Sequence, residues 1–152
     1  MTEPSFRFRL ERVRALRERR EDLARQALAQ ALTERSDSQA RLMTAEAHLE
    51  QARSEQRRAT GPAASATAAE LQARQAFVEH VEAQRLDGVR ELERHDSEVA
   101  DRDVDLGLAA RDREMLERLK ERHRAEHIRE LERRESGTLD EIALERFRRS
   151  AA

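Results

Sequence analysis

A Gly-Pro pair near the middle of the chain, Gly61-Pro62, limits the folds open to it more than any other feature. It sits in the small-residue stretch Ala59-Thr60-Gly61-Pro62-Ala63-Ala64-Ser65-Ala66. Proline lacks a backbone donor and biases its predecessor away from helical angles, so a helix arriving from the N-terminal side ends here. Directly afterwards Thr67-Ala68-Ala69-Glu70 has the S/T-x-x-E form of a capping box. There a hydroxyl and a carboxylate reciprocally satisfy the free backbone donors of a helix start, just before Leu71. The sequence predicts one helix over 5–58, a turn over 59–67 and a second helix from 68 onward.

Each predicted helix carries an apolar stripe. On the first, Phe6, Leu10, Val13, Leu16, Leu23 and Ala27 keep to three- and four-residue steps or their multiples. Leu28, Ala31, Leu42, Ala45, Leu49 and Ala52 continue the seam, which weakens around Arg35 and Ser38. On the second, Leu71, Val78, Arg85, Leu92, Val99 and Leu106 recur every seventh residue. Val81, Ala109 and Leu116 form the companion row, interrupted by Gly88, His95 and Arg102. Two such arms bury their stripes by folding back, which predicts an all-α antiparallel coiled-coil hairpin with arms of roughly 80 Å at about 1.5 Å per residue. Pairing about the turn sets Leu49 near Phe77, Leu42 near Gln84 and Leu10 near Leu116. The second helix then outruns the first beyond about Glu121, leaving Ile128 and Leu131 without an intramolecular partner. Ser136-Gly137 can end that helix at 135, and Thr138-Leu139-Asp140-Glu141 can cap a separate tail over 138–149 containing Ile142, Ala143, Leu144 and Phe147.

Composition agrees with helix and argues against a globular enzyme. Of 152 residues 41% are charged, 38% hydrophobic and 3% aromatic, which leaves little large apolar surface to offset chain entropy in a compact fold. The 30 basic and 32 acidic residues nearly cancel, and Gly and Pro are scarce, as in a long helix rather than a disordered tail. The absence of Cys removes disulfides and thiolate chemistry. The opening Met1-Thr2-Glu3-Pro4-Ser5-Phe6 has no uninterrupted apolar run of a signal peptide or membrane span, so a cytoplasmic protein is expected.

The candidate chemistries are weak. His123-Arg124-Ala125-Glu126-His127 matches an H-x-x-E-H zinc pattern, but a catalytic site also needs a third ligand and a shaped cavity, and a solvated helix face is the expected role. His48, His80 and His95 are scattered without triad partners; His95 falls at a seam position, where a polar residue fixes register. Gly61, Gly88, Gly107 and Gly137 are isolated and form no phosphate loop. All basic residues but Lys120 are Arg, and the segment from Arg7 to Arg20 is locally positive. The chain nonetheless nets -2, and with no Trp or Tyr it offers little platform for base stacking, so an acidic protein surface is a better partner than nucleic acid. Between Arg111 and Glu135 charges of alternating sign support a helix standing in water. No catalytic residue, cofactor, metal site or small-molecule substrate is expected.

Two segments resemble the FliJ family, the central stalk proteins of bacterial flagellar export ATPases. Phe6-Arg7-Phe8-Arg9-Leu10-Glu11-Arg12-Val13 with Leu16-Arg17-Glu18-Arg19 is similar to that family's opening, and Leu139-Asp140-Glu141-Ile142-Ala143 to its C-terminal signature. Length and the central turn agree. The resemblance implies a nonenzymatic component of a type III export apparatus, cytoplasmic and peripherally associated with the inner membrane. Its termini would enter a hexameric export ATPase ring and promote its assembly and activity. The region near the turn would contact the cytoplasmic part of a membrane export-gate protein, and export chaperones are further partners credited to the family. Carried onto this sequence, the ATPase-facing residues are Arg7, Arg9, Arg12, Arg14, Arg17, Leu139, Ile142 and Phe147. The gate-facing residues are Arg41, Ala45, His48, Ala52, Phe77, Val81, Gln84 and Gly88. Aromatic residues are expected on the first arm of that patch, where His48 and Ala52 stand instead, so Phe77 is its obvious anchor, unless it packs against Leu49 in the seam. The alternatives are the equivalent stalk of a virulence-type injection system and a generic coiled-coil scaffold or adaptor.

Overall fold

A computed structural model describes residues 6–62 and 65–150. They form two α-helices, α1 (Glu11–Ala59) and α2 (Ala68–Ser150), with no strand among the described residues. The fold is all-α, and the helices pair antiparallel. Ser5, where the sequence places the start of the first helix, and Ala63 and Ala64 of the expected turn lie outside the described residues. The chain divides into two compact units, Leu23–Gly107 and Met1–Asp22 with Leu108–Ala152. They are called here the turn unit and the terminal unit.

In the turn unit, α1 closes with the Thr60 amide bonded to the Gln56 carbonyl (3.1 Å) and the Thr60 hydroxyl donating to the Gln56 and Arg57 carbonyls. Gly61 does not use a left-handed conformation, so the break is the work of Pro62 rather than of a glycine cap. The capping box forms as the sequence predicts: the Thr67 N–H donates to the Glu70 carboxylate (2.8 Å) and the Glu70 N–H to the Thr67 hydroxyl (3.3 Å). The bond from the Thr67 backbone, and after it the Thr67 side chain, hold the Glu70 carboxyl below its ordinary pKa.

The core of this unit is small. Leu49, Ala52, Val78 and Val81 form one buried cluster. Leu42 lies against Gly88, where an added Cβ would stand 3.4 Å from Leu42 Cδ1, so a glycine here lets the leucine seat close to α2. Ionic and amide pairs flank the seam: Arg53 with Glu82 (2.9 Å), Arg41 with Glu91 (3.1 Å), Arg35 with Asp96, and Gln56 donating to Gln75 (2.6 Å).

The register differs from the expected one by about a helical turn. Leu42 meets Gly88, not Gln84, and Leu49 packs with Val78 and Val81, leaving Phe77 55% exposed. The cause lies at the connection: Gln56, a turn before the end of α1, faces Gln75, two turns into α2. The capping box starts α2 ahead of the point where its apolar row can pair, so the turn is asymmetric.

In the terminal unit, α1 begins at Glu11 rather than at 5, with the Glu11 amide on the Phe8 carbonyl (3.2 Å) and the Arg14 amide on the Leu10 carbonyl (2.9 Å). The residues facing α2 are charged. Arg14 pairs with Glu117 (2.7 Å), Arg17 with Asp112 (2.5 Å), buried Glu21 with Arg113, and Glu11 with Lys120 (3.0 Å). Leu10, Val13 and Leu16, expected in the seam, are 37%, 40% and 51% exposed. The expected pairing of Leu10 with Leu116 is replaced by these ionic contacts.

Cover also extends further along α2 than expected. The Phe8 ring meets His123 edge-on (5.9 Å) and Phe6 meets His127 (5.8 Å), so contacts of the described residues reach His127, past the expected limit at Glu121. Ile128 is exposed and Leu131 half-buried, and every residue from 132 to 150 is exposed. Ser136-Gly137 does not divide the helix. α2 runs through it, and the Thr138 hydroxyl donates back to the Glu135 carbonyl (2.8 Å) instead of capping a new start. One glycine in a helix interior costs only about 1 kcal/mol relative to alanine, and i,i+4 pairs such as Arg134–Glu130 and Arg149–Glu145 support both flanks.

Candidate interaction surfaces

The residues singled out near the turn fall into two groups. Ala45, Ala52, Val81 and Gly88 build the seam, Ala52 and Val81 being buried and Ala45 and Gly88 half-buried. Their small side chains let the helices approach, and they offer little surface. Arg41, His48, Phe77 and Gln84 are exposed. Arg41 is engaged by Glu91, and the Gln84 amide nitrogen lies 3.1 Å from the His80 ring.

His48, Ala52 and Phe77 come together around a shallow depression of about 260 Å³, completed by Gln51 and Glu55. Phe77 forms its α2 wall. An exposed phenyl ring beside an imidazole and a carboxylate can hold an apolar side chain with a polar rim, the usual makeup of a protein-binding anchor. Sequence reasoning passed over Gln51 and Glu55, although both sit one turn or two from His48 on the same helix face.

In the terminal unit the basic residues divide likewise. Arg7, Arg9 and Arg12 are exposed, whereas Arg14 and Arg17 are half-buried and face α2 carboxylates. Bonds to Glu11, and then to Glu117, raise the Arg14 pKa further above its ordinary value, and Glu21 does the same for Arg113. Arg14 and Arg17 are held in ion pairs with α2, whereas Arg7, Arg9 and Arg12 are exposed.

The distal part of α2 carries Leu139, Ile142 and Phe147, all exposed. Their spacing, with Ala143, places them on one helical face; Leu144 lies off it. The row missed by sequence reasoning is Leu10, Val13 and Leu16, assigned to the seam but facing out. A signal was present. Stepping back by heptads from Leu49 and Ala52 through Leu42 and Ala45, Arg35 and Ser38, and Leu28 and Ala31 reaches Glu21 and Ala24, then Arg14 and Arg17.

His123 and His127 each face a phenyl ring, which modifies the solvated-face expectation to one of ring packing. A model of the family described as Flagellar FliJ protein matches residues 6–152. No curated protein and no solved structure matches the chain.

Proposed function

The chain belongs to the flagellar FliJ family, which makes it a component of the flagellar export apparatus, and on that premise we propose that it acts there as a nonenzymatic stalk. The terminal unit binds the hexameric export ATPase, promoting assembly and activity of the ring. The turn unit binds the cytoplasmic part of the export-gate protein. Among the described residues no helix is long and apolar enough to cross a membrane, so in this reading contact with the gate is peripheral.

The observation that carries the proposal is the distal part of α2. Leu139, Ile142 and Phe147 lie beyond the last described ring contact with the N-terminal segment of the unit, on a face that no described residue covers. Burying such side chains yields about 25 cal/mol per Å² of apolar surface, available only through a partner. Exposed Arg7, Arg9 and Arg12 add charge selectivity and association rate more than affinity. On the turn unit, Phe77 above its depression supplies the anchor for the gate.

The test is steady-state ATP hydrolysis by the cognate export ATPase, titrated with the full chain and with a version ending at Ser136. Saturable stimulation by the full chain alone is expected. Equal stimulation by both would remove the tail from the ATPase site. No stimulation by either, together with a concentration-dependent dimer in light scattering, would favour a scaffold that pairs its uncovered helices with a second copy.

A further inference from the structure

We propose that Glu34, His95 and Glu98 form a divalent-cation site of the zinc class that joins α1 to α2 within the turn unit. A ring nitrogen of His95 and one carboxylate oxygen from each glutamate lie within 4.8 Å of one another. The three residues come from both helices: His95 and Glu98 stand one turn apart on α2, and Glu34 approaches from α1.

A cluster of acids alone would not point to a ligand; His95 does. It is only 7% exposed, and its Nδ1 is buried with no hydrogen-bond partner. The other ring nitrogen, Nε2, lies 3.8 Å from a Glu91 oxygen, beyond hydrogen-bond reach. An unsatisfied buried polar atom costs about 1–3 kcal/mol, so a seam position that only needed filling would favour leucine. The neighbouring layer is equally unusual, because the buried Ser38 hydroxyl also lacks a partner.

The donor set selects the ion. One imidazole with two carboxylates suits a borderline cation such as zinc, whereas magnesium and calcium prefer all-oxygen shells. Zinc–ligand bonds of about 2.0–2.2 Å require the three atoms to draw somewhat closer. The glutamates have that freedom: Glu34 is held by Gln30 on its own helix (2.9 Å), and Glu98 by Arg102 at 3.6 Å. Exchange of those contacts for the metal leaves Gln30 and exposed Arg102 to water. The ion would cross-link the helices where the apolar seam is interrupted by Arg35, Ser38 and His95, and so fix the register there.

The experiment uses untagged full-length chain, titrated calorimetrically with zinc and separately with magnesium, and melted with and without zinc. One zinc per chain, no magnesium binding and a thermal midpoint that rises with zinc concentration are expected, because the ion binds the folded state. Glu34→Gln and Glu98→Gln, both at partly exposed positions, should each weaken zinc by at least about tenfold while leaving the zinc-free fold intact. His95→Leu should abolish binding and raise the zinc-free midpoint. Undiminished binding in His95→Leu would overturn the site, as would loss of binding in His123→Ala/His127→Ala instead. Absence of binding at micromolar zinc would reduce His95 to a register residue and also overturn it.

Discussion

The turn unit and the terminal unit use the same heptad spacing to opposite ends. In the turn unit the inward positions hold Leu42, Leu49, Ala52, Val78 and Val81, and charge lies along the flanks. In the terminal unit Arg14, Arg17 and Glu21 occupy the equivalent positions, and Leu10, Val13 and Leu16 face outward. Apolar layers are held by removal from water, which salt does not screen. Ionic layers are held by charge pairing, which salt weakens and a competing partner can exchange. The difference is one of phase: one unit buries its largest apolar side chains in the seam, and the other leaves them exposed and closes the seam with ion pairs.

The comparison breaks most sharply if the small core is emptied. Leu49→Ala removes the largest member of the Leu49, Ala52, Val78 and Val81 cluster and should cost about 2–4 kcal/mol. Chemical denaturation followed by circular dichroism measures it, and a loss well under 1 kcal/mol would mean that the cluster does not hold the turn unit together.

A smaller effect is expected where the seam is ionic. Glu21→Ala strips the buried carboxylate from Arg113, whose side chain is 36% exposed and can be rehydrated, so the cost should be only about 1 kcal/mol. Raising salt to about 1 M should speed backbone amide exchange in the first turns of α1 while leaving amides around Leu49 and Val81 unchanged. Equal salt sensitivity in both units would erase the distinction between them.

Much of this was legible before the structure, though not evenly. The break at Pro62 and the Thr67–Glu70 capping box are local chemistry, determined by residues within one turn of each other, and both appear as read. Register is not local. It depends on how far α2 runs before its apolar row can pair, and the symmetric turn assumed in the sequence moved every partner by about a helical turn. The reading of the first arm failed for another reason: Leu10, Val13 and Leu16 are the largest apolar residues in their segment, and hydrophobic periodicity follows size. The phase fixed by Leu42 through Ala52 points instead to Arg14 and Glu21, which such a count ignores. Thr138 shows the remaining limit, since a capping box and a mid-helix threonine bonding its own carbonyls share one sequence. Of the candidate surfaces, the exposure of the tail residues was legible, whereas that of Phe77, paired with Leu49 by a symmetric turn, was not. That Ala52, Val81 and Gly88 belong to the seam required the true register.

Acid gives the mildest and most local contrast. Hydrogen bonds from Arg14 and then Lys120 hold the Glu11 carboxyl below its ordinary value of 4.5, and Thr67 does so for Glu70. A carboxyl depressed in the folded state contributes stability that is present above its unfolded value and lost as pH falls through its folded one. Between about pH 7 and pH 5 neither carboxyl changes its contribution. Below the ordinary carboxylate range the consequences diverge, because Glu11 links α1 to Lys120 of α2 whereas Glu70 bonds only its own helix start. Protonation should therefore release the first turn of α1 from α2 in the terminal unit, but merely fray the first turn of α2 in the turn unit. Amide exchange across that pH range reads both. Glu11→Gln should remove the acid response at the start of α1 and leave the one at Ala68 untouched; an unchanged response in that variant would assign the acid sensitivity to carboxylates other than Glu11.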